Sequence, residues 1–299
     1  MNVVKCEGLT KKYGRKKVLN EISFKIFKNT ITGLIGRNGA GKSTLLNMIA
    51  GYVRQSSGEI SVFQKQPFNS LFVSANTILV DDHMAFPGTL TLHEIIQEAG
   101  RFYKNWDRTL AERLFTYFSF QPGQYYNNLS KGMKSTFNMI IGLSAHCALT
   151  LYDEPTSGMD ESVRNDFYRA LLKDYLAFPR TIIISSHHLD EIEHLLENVL
   201  LLNDGRVQLH LPISELKEWA IAIKGEQKLV ETWTENKEII HFERVEHTNH
   251  VHAVIKNDMA EQEIEQARQD GLRVSNVAVS DVCVYLTNMR QGRIDDVFR

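Results

Sequence analysis

Residues 30–51, TITGLIGRNGAGKSTLLNMIAG, read as a strand, a glycine-rich turn and a helix. TITGLIG is β-branched and apolar, as in a strand buried on both faces. STLLNMIAG (43–51) carries apolar residues at helical spacing and ends on a Gly that stops the helix. Between them, GRNGAGKS (36–43) matches G-x-x-x-x-G-K-[ST] in the context that its mechanism needs. Gly36, Gly39 and Gly41 let the backbone curl so that successive N–H groups face inward and cradle phosphate. The helix end adds roughly half a positive charge. Lys42 is expected to reach the β- and γ-phosphates of a nucleotide, and Ser43 to take a place on Mg²⁺. Arg37, Asn38, Ala40 and Thr44 belong to the same cradle.

The acids that such a loop needs stand in ALTLYDEP (148–155), an apolar strand that ends in Asp153 and Glu154. An acid pair at a strand end is often only a solvated terminus. Beside a phosphate loop it has a use: Asp153 can hold Mg²⁺ directly or through water, and Glu154 can orient or deprotonate a water aimed at the γ-phosphorus. The pattern implies a nucleoside triphosphate site.

The elements around these motifs alternate. Residues 1–30 read as paired strands, TLHEIIQEAGRFY (91–103) and DRTLAERLFTYF (107–118) as helices, and SKGMKSTFNMIIGL (130–143) as a helix with Ser130 as its cap. A helical run at 160–177 precedes TIIISSHH (181–188), another buried strand, and VLLLNDGRVQLH (199–210) reads as strand, turn and strand. Helices alternating with fully apolar strands predict an α/β fold with a mainly parallel sheet covered on both faces. The texture changes after Pro212. KLVETWTENKEIIHFERV (228–245) and VHAVIK are expected to be antiparallel strands, AEQEIEQARQDG a short helix, LRVSNVAV a strand and DVCVYLTNM a last helix. The expected domains are therefore 1–210, with a helical subdomain at about 84–145, and a small α+β appendage at 211–299. Within the appendage, His241, His247, His250 and His252 in HFERVEHTNHVH read as a solvated hairpin in preference to a metal site, since no Cys is nearby and no acid stands at compelling spacing.

In combination and in this order, the motifs resemble the ATP-binding cassette of ABC transporters over about residues 3–208. That resemblance implies a P-loop NTPase fold with a helical subdomain. It also implies ATP and Mg²⁺ as cofactors, hydrolysis to ADP and phosphate, a head-to-tail pair of cassettes and a separate integral-membrane subunit. Tyr13 in LTKKYG stands where the family stacks an aromatic ring on adenine. LSKGM (129–133) stands at the signature loop, whose Ser130 and Gly132 would close over the γ-phosphate of ATP on the opposite subunit. SGMD (157–160), with Asp160, matches the loop that links the two sites. His187 occupies the position of the histidine on the γ-phosphate, in competition with His188.

Two departures stand out. LVDDHMAFPG (79–88) lies where the family carries a glutamine near Mg²⁺ and the attacking water. Laying FPGTLTLHEII on the usual continuation puts Asp82 at that position, as a catalytic or metal-shell residue, with Asp81 as its exposed neighbour. Lys131 and Met133 replace the commoner Gly and Gln of the signature loop.

Composition narrows the choice further. Hydrophobic residues make up 43 %, which is ample for a core, and a formal charge of −2 argues against a general polyanion surface and so against nucleic acid as partner. Three widely spaced cysteines suggest a reducing compartment. The end of the chain, VAVSDVCVYLTN, resembles the closing segment of exporter-type cassettes that carry a C-terminal extension. The resemblance implies an exporter-type ATPase subunit on the cytoplasmic side of the cell membrane, for peptide, antibiotic or other amphipathic cargo. The alternatives are a soluble ABC-type ATPase that acts on nucleic acid or ribosomes, and a weakly hydrolysing regulatory cassette.

Overall fold

Burial alternates through Ile22, Phe24 and Ile26, the period of a strand with one face in a core. In a computed structural model, which describes residues 1–245 and 248–287, this stretch belongs to the first of two units, Met1–His210. That unit runs β1 (Asn2–Tyr13), β2 (Lys16–Phe27), β3 (Ile31–Ile35), α1 (Lys42–Ile49), β4 (Ser57–Val62), α2 (Leu71–Asn76), β5 (Thr77–Val80) and α3 (Leu92–Phe102). It continues through α4 (Arg108–Tyr117), α5 (Lys131–Ser144), β6 (Leu149–Asp153), α6 (Glu161–Ala177), β7 (Thr181–Ser186), α7 (Leu189–Ile192), β8 (Asn198–Asn203) and most of β9 (Arg206–Pro212), whose last two residues already belong to the second unit.

β2, β1 and β4 form an antiparallel three-stranded sheet, and β5-β6-β7-β3-β8-β9 form a second sheet whose pairs from β5 to β8 are parallel. One core joins them: Leu9, Leu19, Phe24 and Ile26 of the first sheet meet Leu45, Leu46 and Met48 of α1, and α1 meets Leu34, Leu151, Ile183 and Leu200 of the second. The helix after the phosphate loop is thus clamped between two apolar layers, which fixes the loop before it.

The helical segment is set by its caps. Thr91 and Glu94 form a capping box at α3, Asp107 caps α4 and Ser130 caps α5. Glycine at 142 lets α5 lie close to Val80 and Tyr152, at the end of β5 and in β6.

The second unit starts at Leu211. It contains α8 (Ile213–Glu218), β10 (Ala220–Glu226), α9 (Gln227–Thr234), β11 (Ile239–Arg244), β12 (His250–Lys256), α10 (Glu261–Gln269), β13 (Arg273–Asn276) and α11 (Val279–Thr287). From β10 to β13 the order is βαββαβ, with the sheet arranged β11-β12-β10-β13 and all pairs antiparallel, a split βαβ arrangement.

One expectation needs correction here, and one strand is added. KLVETWT is helix, not strand: its β-branched and aromatic residues suggest a strand, but Leu229, Val230 and Trp233 share one helical face and pack on Ile221, Ile223 and Val251. AIAIKGE (220–226), unassigned from sequence, is a central strand with Ala220 to Ile223 all buried. His241 lies stacked on Tyr285 with ring centroids 4.1 Å apart. His252 stands opposite Glu243 and Lys224, and His247 lies outside the described residues. No group of three or more His, Cys, Asp or Glu able to hold a metal occurs among the described residues.

A buried charge network ties the first unit together behind the sheet. Asp174 of α6 meets His146 Nε2 at 2.8 Å and Arg180 at 2.7 Å, with both the Asp174 and Arg180 side chains 5 % exposed. Arg180 also donates to Thr150 Oγ1 of β6 at 3.4 Å. Removing one member leaves an uncompensated buried charge, which costs about 3–5 kcal/mol. Asp174→Ala is therefore expected to lower stability by about that amount, read as a shift of the denaturant midpoint of the full chain.

Candidate functional site

Parallel pairing brings the site together. Ile35 of β3 is level with Ser186 of β7, Asp153 of β6 with Ser185 of β7, and Val80 of β5 with Tyr152 of β6. Four strands end along one edge, so the residues just beyond them converge: the loop from Gly36, the Asp153–Glu154 pair, His187 and Asp81. The carboxyl ends of parallel strands are where ligands bind in such sheets.

The phosphate loop needs its glycine at 41. Gly41 has φ +107°, in the left-handed region, and a Cβ there would stand 2.7 Å from Leu19 Cδ2 and 3.0 Å from the Val18 carbonyl oxygen. No side chain caps α1 behind it and no acid occupies its first turn, so its leading N–H groups lie available to an anion. Lys42 is buried, with Nζ on the Gly36 carbonyl oxygen at 2.6 Å and on the Glu154 carboxylate at 3.1 Å. Arg37, Asn38, Gly39, Ala40, Ser43 and Thr44 lie in the same turn and the start of α1. β2, which passes Gly41 through Val18 and Leu19, pairs at its start with Tyr13 of β1. The Tyr13 ring is 50 % exposed, with Lys11 Nζ 4.8 Å from its centroid.

Glu154 is the centre of the arrangement. Its backbone turns at φ +47°, unusual for a residue with a side chain. The turn is held by its N–H on Ser185 Oγ at 2.9 Å. One carboxylate oxygen faces Lys42, and the other meets His187 Nδ1 at 2.8 Å. His188 lies beside His187, ring centroids 4.0 Å apart, and its own N–H is held by Ser186 Oγ. The structure thus brings His187 onto the acid. Ser185, which sequence reading passed over inside TIIISSHH, donates to Asp153 Oδ1 at 2.6 Å and so orients both acids. Its only signal in the sequence is a hydroxyl residue where the apolar run of Ile182 to Ile184 stops.

In the 79–88 stretch the expectation that Asp81 is the exposed neighbour needs correction. Asp81 is the partly buried one and Asp82 the more exposed. Burial raises the Asp81 carboxyl above its usual range despite its hydrogen bond from the His83 N–H, and the charge on Asp153 adds to the rise. Asp82 turns to Lys131, 3.2 Å away.

The LSKGM loop sits on the SGMD loop. A Cβ on Gly132 would collide with the Gly158 carbonyl oxygen, so glycine there permits backbone-to-backbone contact. Ser135 donates to the Ser157 carbonyl oxygen at 2.9 Å. Ser130 caps α5 through the Met133 N–H, and Asp160 caps α6 through the Val163 N–H.

These residues fit a magnesium nucleotide. An uncapped helix start with a buried lysine suits phosphate, and a hydroxyl at Ser43 with a carboxylate at Asp153 makes the oxygen donor set of a hard divalent cation.

Comparison with known proteins agrees with this geometry. Residues 19–157 match the family described as ABC transporter. The chain is 29 % identical over 222 residues to the ABC transporter ATP-binding protein YtrB of Bacillus subtilis, covering 74 % of this chain and 76 % of that one. It is 31 % identical to an uncharacterised ABC transporter ATP-binding protein of Methanocaldococcus jannaschii, covering 68 % and 75 %. With the bacitracin transport ATP-binding protein BcrA of Bacillus licheniformis it shares 28 % identity, covering 72 % of each. Among solved structures, the ATP-binding subunit of an ABC transporter superposes with TM-score 0.64 at 22 % identity, covering 72 % of this chain and 92 % of the other. A dimeric ATP-binding cassette in a post-hydrolysis state with ADP and phosphate gives 0.61 at 20 % identity, covering 70 % and 98 %.

Ligand binding to the folded state alone stabilises by about 2.7 kcal/mol at a hundred times Kd. Thermal melting with excess Mg-ATP is expected to show such a shift for the native chain and to lose most of it in Lys42→Met.

Proposed function

The chain belongs to the ABC transporter family of ATP-binding subunits, and on that premise we propose that it powers an exporter by hydrolysing ATP at the site around Glu154. The chain is an ATPase subunit of an ABC transporter. Our reading extends to the roles of its residues, its direction of transport and its class of cargo.

The observation that carries the residue assignment is the Glu154 carboxylate held between Lys42 at 3.1 Å and His187 at 2.8 Å. Lys42 exchanges the Gly36 carbonyl and Glu154 for oxygens of the β- and γ-phosphates. One oxygen of Glu154 is then free to accept the proton of the attacking water while His187 steadies the other. Ser185 holds Asp153 toward the metal site and fixes the backbone from which Glu154 projects. Mg²⁺, when bound by Ser43 and Asp153, supplies charge neutralisation at the phosphates. Thr44, Arg37, Asn38, Gly39, Ala40 and Gly41 line the phosphates, and Tyr13 offers an exposed ring face to the base. Asp160, through its cap on α6, orders the SGMD loop beside Gly132.

The Ser130 and Gly132 segment completes the shell of a nucleotide bound to a second cassette, which makes closure of the pair depend on nucleotide. Among the described residues no helix is long and apolar enough to cross a membrane. The relatives named as ATP-binding proteins of transporters support a peripheral subunit beside a separate membrane chain, on its cytoplasmic side. Bacitracin transport, the function named for one relative, supports an amphipathic peptide or antibiotic as cargo.

Removing a positioned general base typically costs a factor of about 10²–10⁴. Glu154→Gln is expected to lower steady-state ATP turnover by that order while nucleotide binding persists, and to accumulate dimer with Mg-ATP in analytical ultracentrifugation. Turnover of Glu154→Gln at the native rate would refute the assignment of the base.

A further inference from the structure

Lys131 joins three segments. It is the first residue of α5, directly after Ser130. Its stem lies across the 157–160 loop, with Cγ and Cδ 3.2 and 3.4 Å from where a Cβ on Gly158 would stand. Its Nζ ends 3.2 Å from Asp82 Oδ2. The side chains are 62 % and 48 % exposed, so this is a pair of single charges in water, weakly held and readily exchanged.

The local charge balance favours exchange. The first turn of α5 contains Lys131 and Lys134 and no acid. Both cations stand at the helix end where the backbone dipole is already positive. Lys134 rests over the Tyr126 ring, 5.5 Å from its centroid. Asp82, donated by the 81–88 loop, is the counter-charge of Lys131 within the single chain. A terminal phosphate carries more charge than a carboxylate and more acceptor oxygens, so it outcompetes Asp82 wherever it comes within reach of Lys131.

We propose that Lys131 is an exchangeable phosphate ligand, resting on Asp82 in the single subunit and moving to the terminal phosphate of the nucleotide on the facing cassette when the pair closes. The assignment rests on the reading that the Ser130 loop faces that nucleotide. It makes Asp82 a competitor of nucleotide: the carboxylate sets how much Mg-ATP is needed for closure. It also unites the two departures of this chain, an acid at 82 and a lysine at 131, in one device. When Lys131 leaves, the 81–88 loop loses its tie to the start of α5, so nucleotide-driven closure is felt in that loop.

The test is dimerisation of the full-length Glu154→Gln chain, alone or with the cassette that co-purifies with it, against Mg-ATP concentration in analytical ultracentrifugation. Adding Asp82→Asn is expected to lower the half-point by about two- to fivefold, as an exposed charge pair allows. Adding Lys131→Gln should raise it by a similar factor, and Lys131→Arg should restore it. The double change should match Lys131→Gln, because Asp82 acts only through the lysine. A tie that merely braces the loops would make both single changes raise the half-point. Shifts in the same direction, or no shift, overturn the exchange while leaving the two-cassette clamp standing. A Glu154→Gln chain that stays monomeric at saturating Mg-ATP overturns the clamp, and the exchange with it.

Discussion

The ammonium of Lys42 is buried between a backbone carbonyl and a carboxylate, and the rest of the site is arranged around that placement. A buried cation must be compensated, and here the Gly36 and Arg37 carbonyl oxygens and the Glu154 carboxylate supply the partners. The contact joins the end of β3 to the end of β6. Through Glu154 it reaches His187 at the end of β7. Three parallel strands are thereby fixed to one another at their functional edge, by polar contacts among groups that a polyphosphate can later claim. In the mechanism we propose, the contacts that hold the resting site together are the ones that nucleotide exchanges.

Rigidity behind the site comes from packing. α1 is enclosed by apolar residues of two sheets, so the loop preceding it has little freedom, and Gly41 accommodates a turn that a Cβ would block. The Asp174, His146 and Arg180 network holds α6, the residue pair after α5 and the start of β7 together on the far side. By contrast, the contacts among the 81–88, 130–133 and 157–160 segments are backbone approaches and exposed charges. A stiff catalytic edge beside a more yielding set of loops suits an enzyme that must transmit nucleotide occupancy to a partner chain.

Much of this could be read from the residues in order. The phosphate loop announces itself because glycine spacing, lysine and hydroxyl act within eight consecutive residues, and the strand and helix that flank it have clean periodicity. LTLYDEP and TIIISSHH are legible for the same local reason. The appendage was harder. β-branched and aromatic residues in KLVETWT suggest a strand, yet their spacing places an apolar face on the sheet beneath and a helix results. AIAIKGE offers an apolar run of only four residues, Ala220 to Ile223, and it becomes central because β12 and β13 pair with it on both sides.

Sequence alone determined the chemistry of this protein: a phosphate cradle, an acid pair at a strand end, and the order of loops around them, each written in adjacent residues whose local geometry leaves few alternatives. Tertiary structure decided between neighbours. It put His187 rather than His188 on Glu154, left Asp81 partly buried, turned Asp82 to Lys131, and brought in Ser185 as the group that orients both acids. Adjacent side chains at a strand end differ little in type or exposure when read along the chain. They differ in which distant strand or helix they meet, and pairing across the sheet, not local pattern, sets that.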